Sequence, residues 1–217
     1  KEGRRLYSDC VLGFEKMMAE FSRTFINLPS ELVDSEVENW LKRMVEQFGM
    51  DRASLAQIDS ANEDLIITHV WQRPGISPQH GGVANESSSW LHEFPLLQER
   101  VLRGKMTCVS RPEELPETAS VEREYMSSSG MKSVLAVPLL TSGKLVGCLA
   151  MSSFHEHQTW DSILISRVRQ AGDVFANCLA RKRTEEDLHQ AFAEIHQLKE
   201  RLEQDNIYLR EEISLAH

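Results

Sequence analysis

The sequence predicts an α+β protein: an antiparallel sheet with helices on both faces, followed by a long C-terminal coiled-coil helix. Three observations carry this. Two near-continuous apolar runs, SVLAVPLL and KLVGCLAMSSF, flank Thr141-Ser142-Gly143, a hairpin of central strands whose faces are both covered. Leu6, Cys10, Phe14, Met17, Met18, Phe21 and Phe25 recur at mostly three- and four-residue steps, the mark of one apolar helix face. Leu188, Ile195, Leu202 and Leu209 recur every seven residues, with Phe192, Leu198 and Ile213 beside them. A stripe that narrow is buried only against another helix.

The elements follow in chain order. The first helix runs to Asn27-Leu28-Pro29, where Pro29-Ser30 breaks it. A second is expected from about Asp34 to Phe48, capped by Asp34 or Ser35 and closed by Gly49, with Val37, Leu41, Met44, Val45 and Phe48 on one face. Arg52 to Ile58 is the first strand, and the polar run Asp59 to Asp64 a hairpin loop. Leu65 to Trp71, β-branched and aromatic, is the second strand and ends at Pro74-Gly75. A Gly/Ser-rich loop from Ile76 to Ser89 leads to a short helix around Pro95 to Leu102, then a strand at Met106 to Val109. The acidic turn RPEELPE precedes a helix near Ala119 to Ser128, closed by Gly130. Strands Ser133 to Leu140 and Lys144 to Phe154 come next. Trp160-Asp161-Ser162 starts a last helix, and no Pro or Gly interrupts it from Asp173 onward.

Composition removes several function classes. The 217 residues carry a formal net charge of -9, which argues against a general nucleic-acid surface. No eighteen-residue apolar run exists to span a membrane. Cys10, Cys108, Cys148 and Cys178 lie far apart without C-x-x-C, as expected of reduced thiols in a cytoplasmic protein. Gly143-Lys144 is followed by Leu145, so there is no P-loop, and neither G-x-S-x-G nor H-E-x-x-H occurs. No catalytic constellation is present, and the expectation is a protein that is not an enzyme. His155 and His157 share one side of an extended strand, but two imidazoles do not make a metal site. No metal or cofactor is expected. A start without Met and an end inside a helix suggest a piece of a longer protein.

MDRASLAQID, THVWQRPGI and, above all, GMKSVLAVPLLTSGKLVGCLAMSS resemble the GAF domain, a small-molecule sensor module of signalling proteins, across roughly Phe25 to Arg181. The resemblance implies a GAF-like antiparallel sheet of five or six strands, with a ligand pocket under the variable loop-helix segment. The tail EIHQLKERLEQDNIYLREEI is similar to the segment joining sensors to the AAA+ domain of sigma-54-dependent transcriptional activators. The expected organisation is therefore a dimer-forming N-terminal helix over 1–28, a GAF sensor over 29–181 and a coiled-coil linker over 182–217. That linker would lead to an AAA+ output domain absent from this chain. A histidine kinase sensor, or a GAF dimerisation platform without ligand, is the alternative. His189 and His196 lack the setting of a kinase phosphoacceptor.

Trp71 and Trp90 are candidate aromatic walls of the pocket, and Arg73 a partner for an anionic effector. Met131, Ser133 and Met151 border the same implied space. The loop has no Cys for a bilin, and the N-K-x-(n)-F-x-x-x-D-E pattern of cyclic-nucleotide-binding relatives is missing, since Asn27 is followed by Leu28. The clustered Asp, Cys and Arg ligands of the non-haem iron sensors are not assembled either. The expected homodimer is parallel and uses Phe14, Phe21, Leu188, Ile195, Leu202 and Leu209. Asp205 and Glu212 weaken its seam, and Asn206 is placed to set register there.

Overall fold

The computed structural model describes residues 2–59, 64–76 and 94–215, with side chains from residue 13 to residue 207 within them. In order come α1 (Glu2–Ile26), α2 (Val33–Phe48), β1 (Arg52–Ile58), β2 (Leu65–Gln72), α3 (Pro95–Leu102), β3 (Thr107–Val109), α4 (Ser120–Ser129), β4 (Ser133–Thr141), β5 (Lys144–Ser153) and α5 (Ser162–Leu215). The strands form one sheet of five in the order β2-β1-β5-β4-β3, every pair antiparallel.

Local chemistry explains the breaks. Gly49 and Gly130 close α2 and α4 in the left-handed conformation, φ 66° and 75°, where a side chain would be strained. Ser142 and Gly143, at φ 51° and 78°, turn β4 into β5, the paired positive φ of a two-residue hairpin that follows the twist of its strands. α5 starts where Asp161 Oδ1 accepts the Leu164 N–H at 2.7 Å. α2 departs from the expected start. A 3-10 turn at Ser30–Leu32 leads into it, Leu32 occupies the cap position, and Asp34 and Ser35 lie inside the first turn. Ser35 Oγ donates to Leu32 O at 3.0 Å instead.

Strand alternation divides the interior into two cores. Ala53, Leu55, Leu135, Val137, Leu139, Leu149 and Met151 meet α1, α2 and the first turns of α5. Ala56, Leu65, Val134, Ala136, Cys148 and Ala150 meet α3 and α4. Between Leu55 and Ala56 the pairing with β2 slips, leaving Thr68 as the extra residue. The slip turns Leu65 and Ile67 toward the α3/α4 side and Trp71 toward the other. Gly147 lets β1 and β5 approach, since a Cβ there would stand 2.2 Å from Ala56 O.

Phe14 and Phe21 are corrected by this packing. Phe21 is 0% exposed, stacked on Trp40 with ring centroids 4.4 Å apart and edge-on to Phe25 and Phe175. Phe14 is buried beside Phe48. Their apolar face is spent within the chain, so neither has surface to offer a second copy.

The chain divides into two compact units, Lys1–Leu179 and Ala180–His217. In the second, Leu188, Phe192, Ile195, Leu198, Leu202 and Ile207 are each more than half exposed. Among the described residues no helix is long and apolar enough to cross a membrane.

Candidate functional site

The sequence-picked residues do not converge on one space. Met151 is fully buried, and Trp71 packs against the same core beside α1, α2 and α5. Met131 lies on the opposite face of the sheet, beneath α3 and α4. Ser133 is buried as a structural hydroxyl: it donates to Ser110 O at 2.7 Å and accepts the Gln158 N–H at 2.8 Å. Trp90 falls outside the described residues.

Arg73 belongs to a corner built around Asp51. Its Nε donates to Met50 O at 2.8 Å and stands 4.0 Å from Asp51 Oδ1. Asp51 Oδ2 accepts the N–H groups of Phe154 and His155 at 2.6 and 3.0 Å, and Oδ1 meets His155 Nδ1 at 2.9 Å. Burial pushes this carboxyl up. The hydrogen bonds from Phe154 and His155, together with the charge of His155, outweigh that and hold it below the usual carboxylate range. The corner ties the start of β1 to the exit of β5, which is a structural task. His157 turns away, with Nδ1 at 3.2 Å from Ser110 O. Among the described residues no three His, Cys, Asp or Glu side chains come together as a metal site.

The space with ligand-site character lies between the sheet and α3/α4. Pro95 begins α3 after Phe94, and Phe94 sets its ring edge-on to Tyr125 of α4, centroids 4.4 Å apart. Arg123 anchors the preceding loop by donating to Leu115 O at 2.7 Å. Between these contacts stands Glu122, 1% exposed. Its Oε1 accepts the Leu96 N–H at 2.6 Å, one of the donors that a helix start leaves unsatisfied. Phe94, Leu97, Val109, Leu115, Glu122, Met126, Met131 and Val134 line a small cavity of about 10 Å³, room for roughly one water-sized sphere. Of the sequence-picked residues that are described, only Met131 reaches it.

Glu122 escaped the sequence reading because VEREYM looks like the solvated part of a helix. One signal was available: Glu122, Tyr125, Met126 and Ser129 fall at helical spacing on a single face.

Sheet order, flanking helices and this inner cavity define a sensor-type α+β fold. The GAF domain profile matches residues 34–179, more than half of the chain. The protein belongs to the GAF domain family. A curated relative, the methanogenesis regulatory histidine kinase FilI of Methanothrix harundinacea, is 23% identical over 167 residues, 76% of this chain and 18% of that protein. The chain thus matches less than a fifth of that relative's length. The GAF domain of a phosphoenolpyruvate-protein phosphotransferase from Coxiella burnetii superposes with a TM-score of 0.64 at 14% identity, covering 81% of this chain and 98% of that one. A domain of a two-component sensor histidine kinase protein from Sinorhizobium meliloti gives 0.53 at 18%, covering 72% and 96%. At such identities these likenesses speak for the fold alone.

Proposed function

We propose that this chain is the regulatory sensor of a sigma-54-dependent transcriptional activator. A small molecule bound between the sheet and α3/α4 would bias the arrangement of a dimeric helical linker, and so control an AAA+ ATPase in the cytoplasm. The observation that carries the reading is α5 itself, one helix from Ser162 to Leu215. Val168, Ala171 and Phe175 on it are core residues of the sensor, while Leu188, Ile195 and Leu202 further along are exposed. A helix resists compression and twist, so a shift set at the sheet is not absorbed by a loop. Only a difference in ligand affinity between two arrangements can drive such a shift.

The linker sequence QDNIYLREEI supports the activator. The likeness to FilI favours a second reading, the sensor of a histidine kinase, but it covers 18% of that protein. The third reading, a platform without ligand, draws on Trp71 and Met151, which pack into the core rather than wall a pocket. The cavity beside Glu122 favours a sensor over a platform.

The linker should pair in parallel with a second copy, since a connector delivers both exits to one output assembly. Burying each Leu or Ile contributes roughly 1.5–3 kcal/mol, so Leu202→Asp should shift the dimer strongly toward monomer in light scattering. A wild-type monomer at tens of micromolar would remove the linker from the argument. Inserting four residues after Arg183 turns the exit by about 40°. In the full-length protein this should uncouple effector from ATPase output while effector affinity stays near normal. Intact regulation would make the helix a tether.

A further inference from the structure

Glu122 presents an unfinished site. It sits on α4 in the interior, and one carboxylate oxygen is committed to the Leu96 N–H. The other, Oε2, is buried and has no hydrogen-bond partner. An oxygen in that position has given up hydration and received no donor in return, and such groups in a folded protein call for a missing partner. Glu122 is itself one of the residues that line the cavity, together with Phe94, Leu97, Met126, Met131 and Val134. Among the described residues the wall is apolar apart from Glu122.

We infer that this space is a recognition site for a small amphiphile whose polar head donates hydrogen bonds, an alkylammonium being the simplest case, with Glu122 Oε2 as the acceptor. The inference rests on the ligand-sensing reading of the same site and names its ligand class. A carboxylate oxygen that lacks a donor is matched by an N–H head and not by a carboxylate or phosphate, which would bring further acceptors. This reverses the anionic preference that Arg73 suggested, and Arg73 is engaged at the Asp51 corner on Met50 O. The cavity of about 10 Å³ fits the head. The tail requires side chains that can yield, and Met126 and Met131 are unbranched thioethers with several accessible rotamers.

The test uses the 217-residue chain with ¹³C-labelled methionine methyls and ¹⁵N amides, titrated with ethylammonium and n-butylammonium chloride. Sodium butyrate and sodium chloride at matched ionic strength are the controls. Expected are NOEs from the probe's alkyl protons to the Met126 and Met131 methyls, a shifted Leu96 amide, and no such contacts from butyrate. Glu122→Gln should weaken n-butylammonium at least tenfold. Absence of NOEs at both methyls overturns the inference in the wild-type protein, whether or not the variant folds. So does equal binding of butyrate, equal affinity in Glu122→Gln, or a site that holds a water and no probe. An effector that drives output in the full-length protein without touching Met126 or Met131 would sink this assignment and spare the sensor reading. Alkylammonium bound at Glu122 with output unmoved would do the reverse.

Discussion

The two faces of the sheet are packed differently. The α1/α2/α5 face is closed by Phe21, Trp40, Phe25 and Phe175, large rings stacked and edge-on at centroid distances from 4.4 to 5.8 Å. The α3/α4 face is covered by two short helices of 8 and 10 residues, and between them lie a small cavity and an unpaired carboxylate oxygen. Aromatic contacts leave few alternative packings. The other face differs in its void, which leaves the lining Met126 and Met131 room to repack. One face packs the start of α5 through these rings, and the other keeps a small space beside the sheet.

Phe175→Ala should cost the most, about 3–5 kcal/mol, because the rings around it cannot collapse into the gap. Leu97→Ala, beside space that already exists, should cost about 2–4 kcal/mol and less than Phe175→Ala in the same urea titration. The reverse order would mean that the α3/α4 face is the rigid one.

Asp51 serves the sheet that both faces share. Asp51→Asn keeps the shape and loses the charge-assisted bonds to Phe154 and His155, at a cost of about 1.5–3 kcal/mol near neutral pH. The folded carboxyl titrates below its ordinary value, so its contribution is complete above the unfolded value and lost as pH falls through the folded one. The gap between wild type and Asp51→Asn should stay flat above pH of about 5 and shrink below about 4. Thermal melts across pH 3 to 7 would show it, and a gap that persists at the acid end would remove the linkage.

The smallest effect is chemical. Burial pushes the Cys148 thiol up to about 12, while Cys108 is half-exposed and raised less by its burial. Under native conditions iodoacetamide should modify Cys108 well before Cys148 or Cys178, read by peptide mapping. Faster labelling of Cys148 than of Cys178 would show that the α3/α4 face opens first, and would sharpen the contrast.

The fold was legible where the physics is local. The Thr141-Ser142-Gly143 turn, the glycine stops at 49 and 130 and the apolar runs of β4 and β5 place those elements within a residue or two. Facing was less legible. Trp71 and Met131 both border the implied pocket in sequence terms. The extra residue at Thr68 sends Trp71 to one side, while Met131, just ahead of β4, lies on the other. Phe14 and Phe21 read as free surface because the helices that cover them, α2 and α5, come later in the chain. Glu122 was missed for a related reason: a charged residue on a helix reads as solvated until its neighbours in space are known.

The corner at Asp51 also sets a clock. Its carboxylate is bonded to Ser153, 102 residues further along, and β1 finds its second neighbour only in β5. During synthesis at roughly 5–20 residues per second, the β1–β2 hairpin waits about 4–16 s for β5, with the other edge of β1 unpaired. The centre of the sheet is therefore completed last, and in that interval the nascent chain is most open to pairing with the wrong strand.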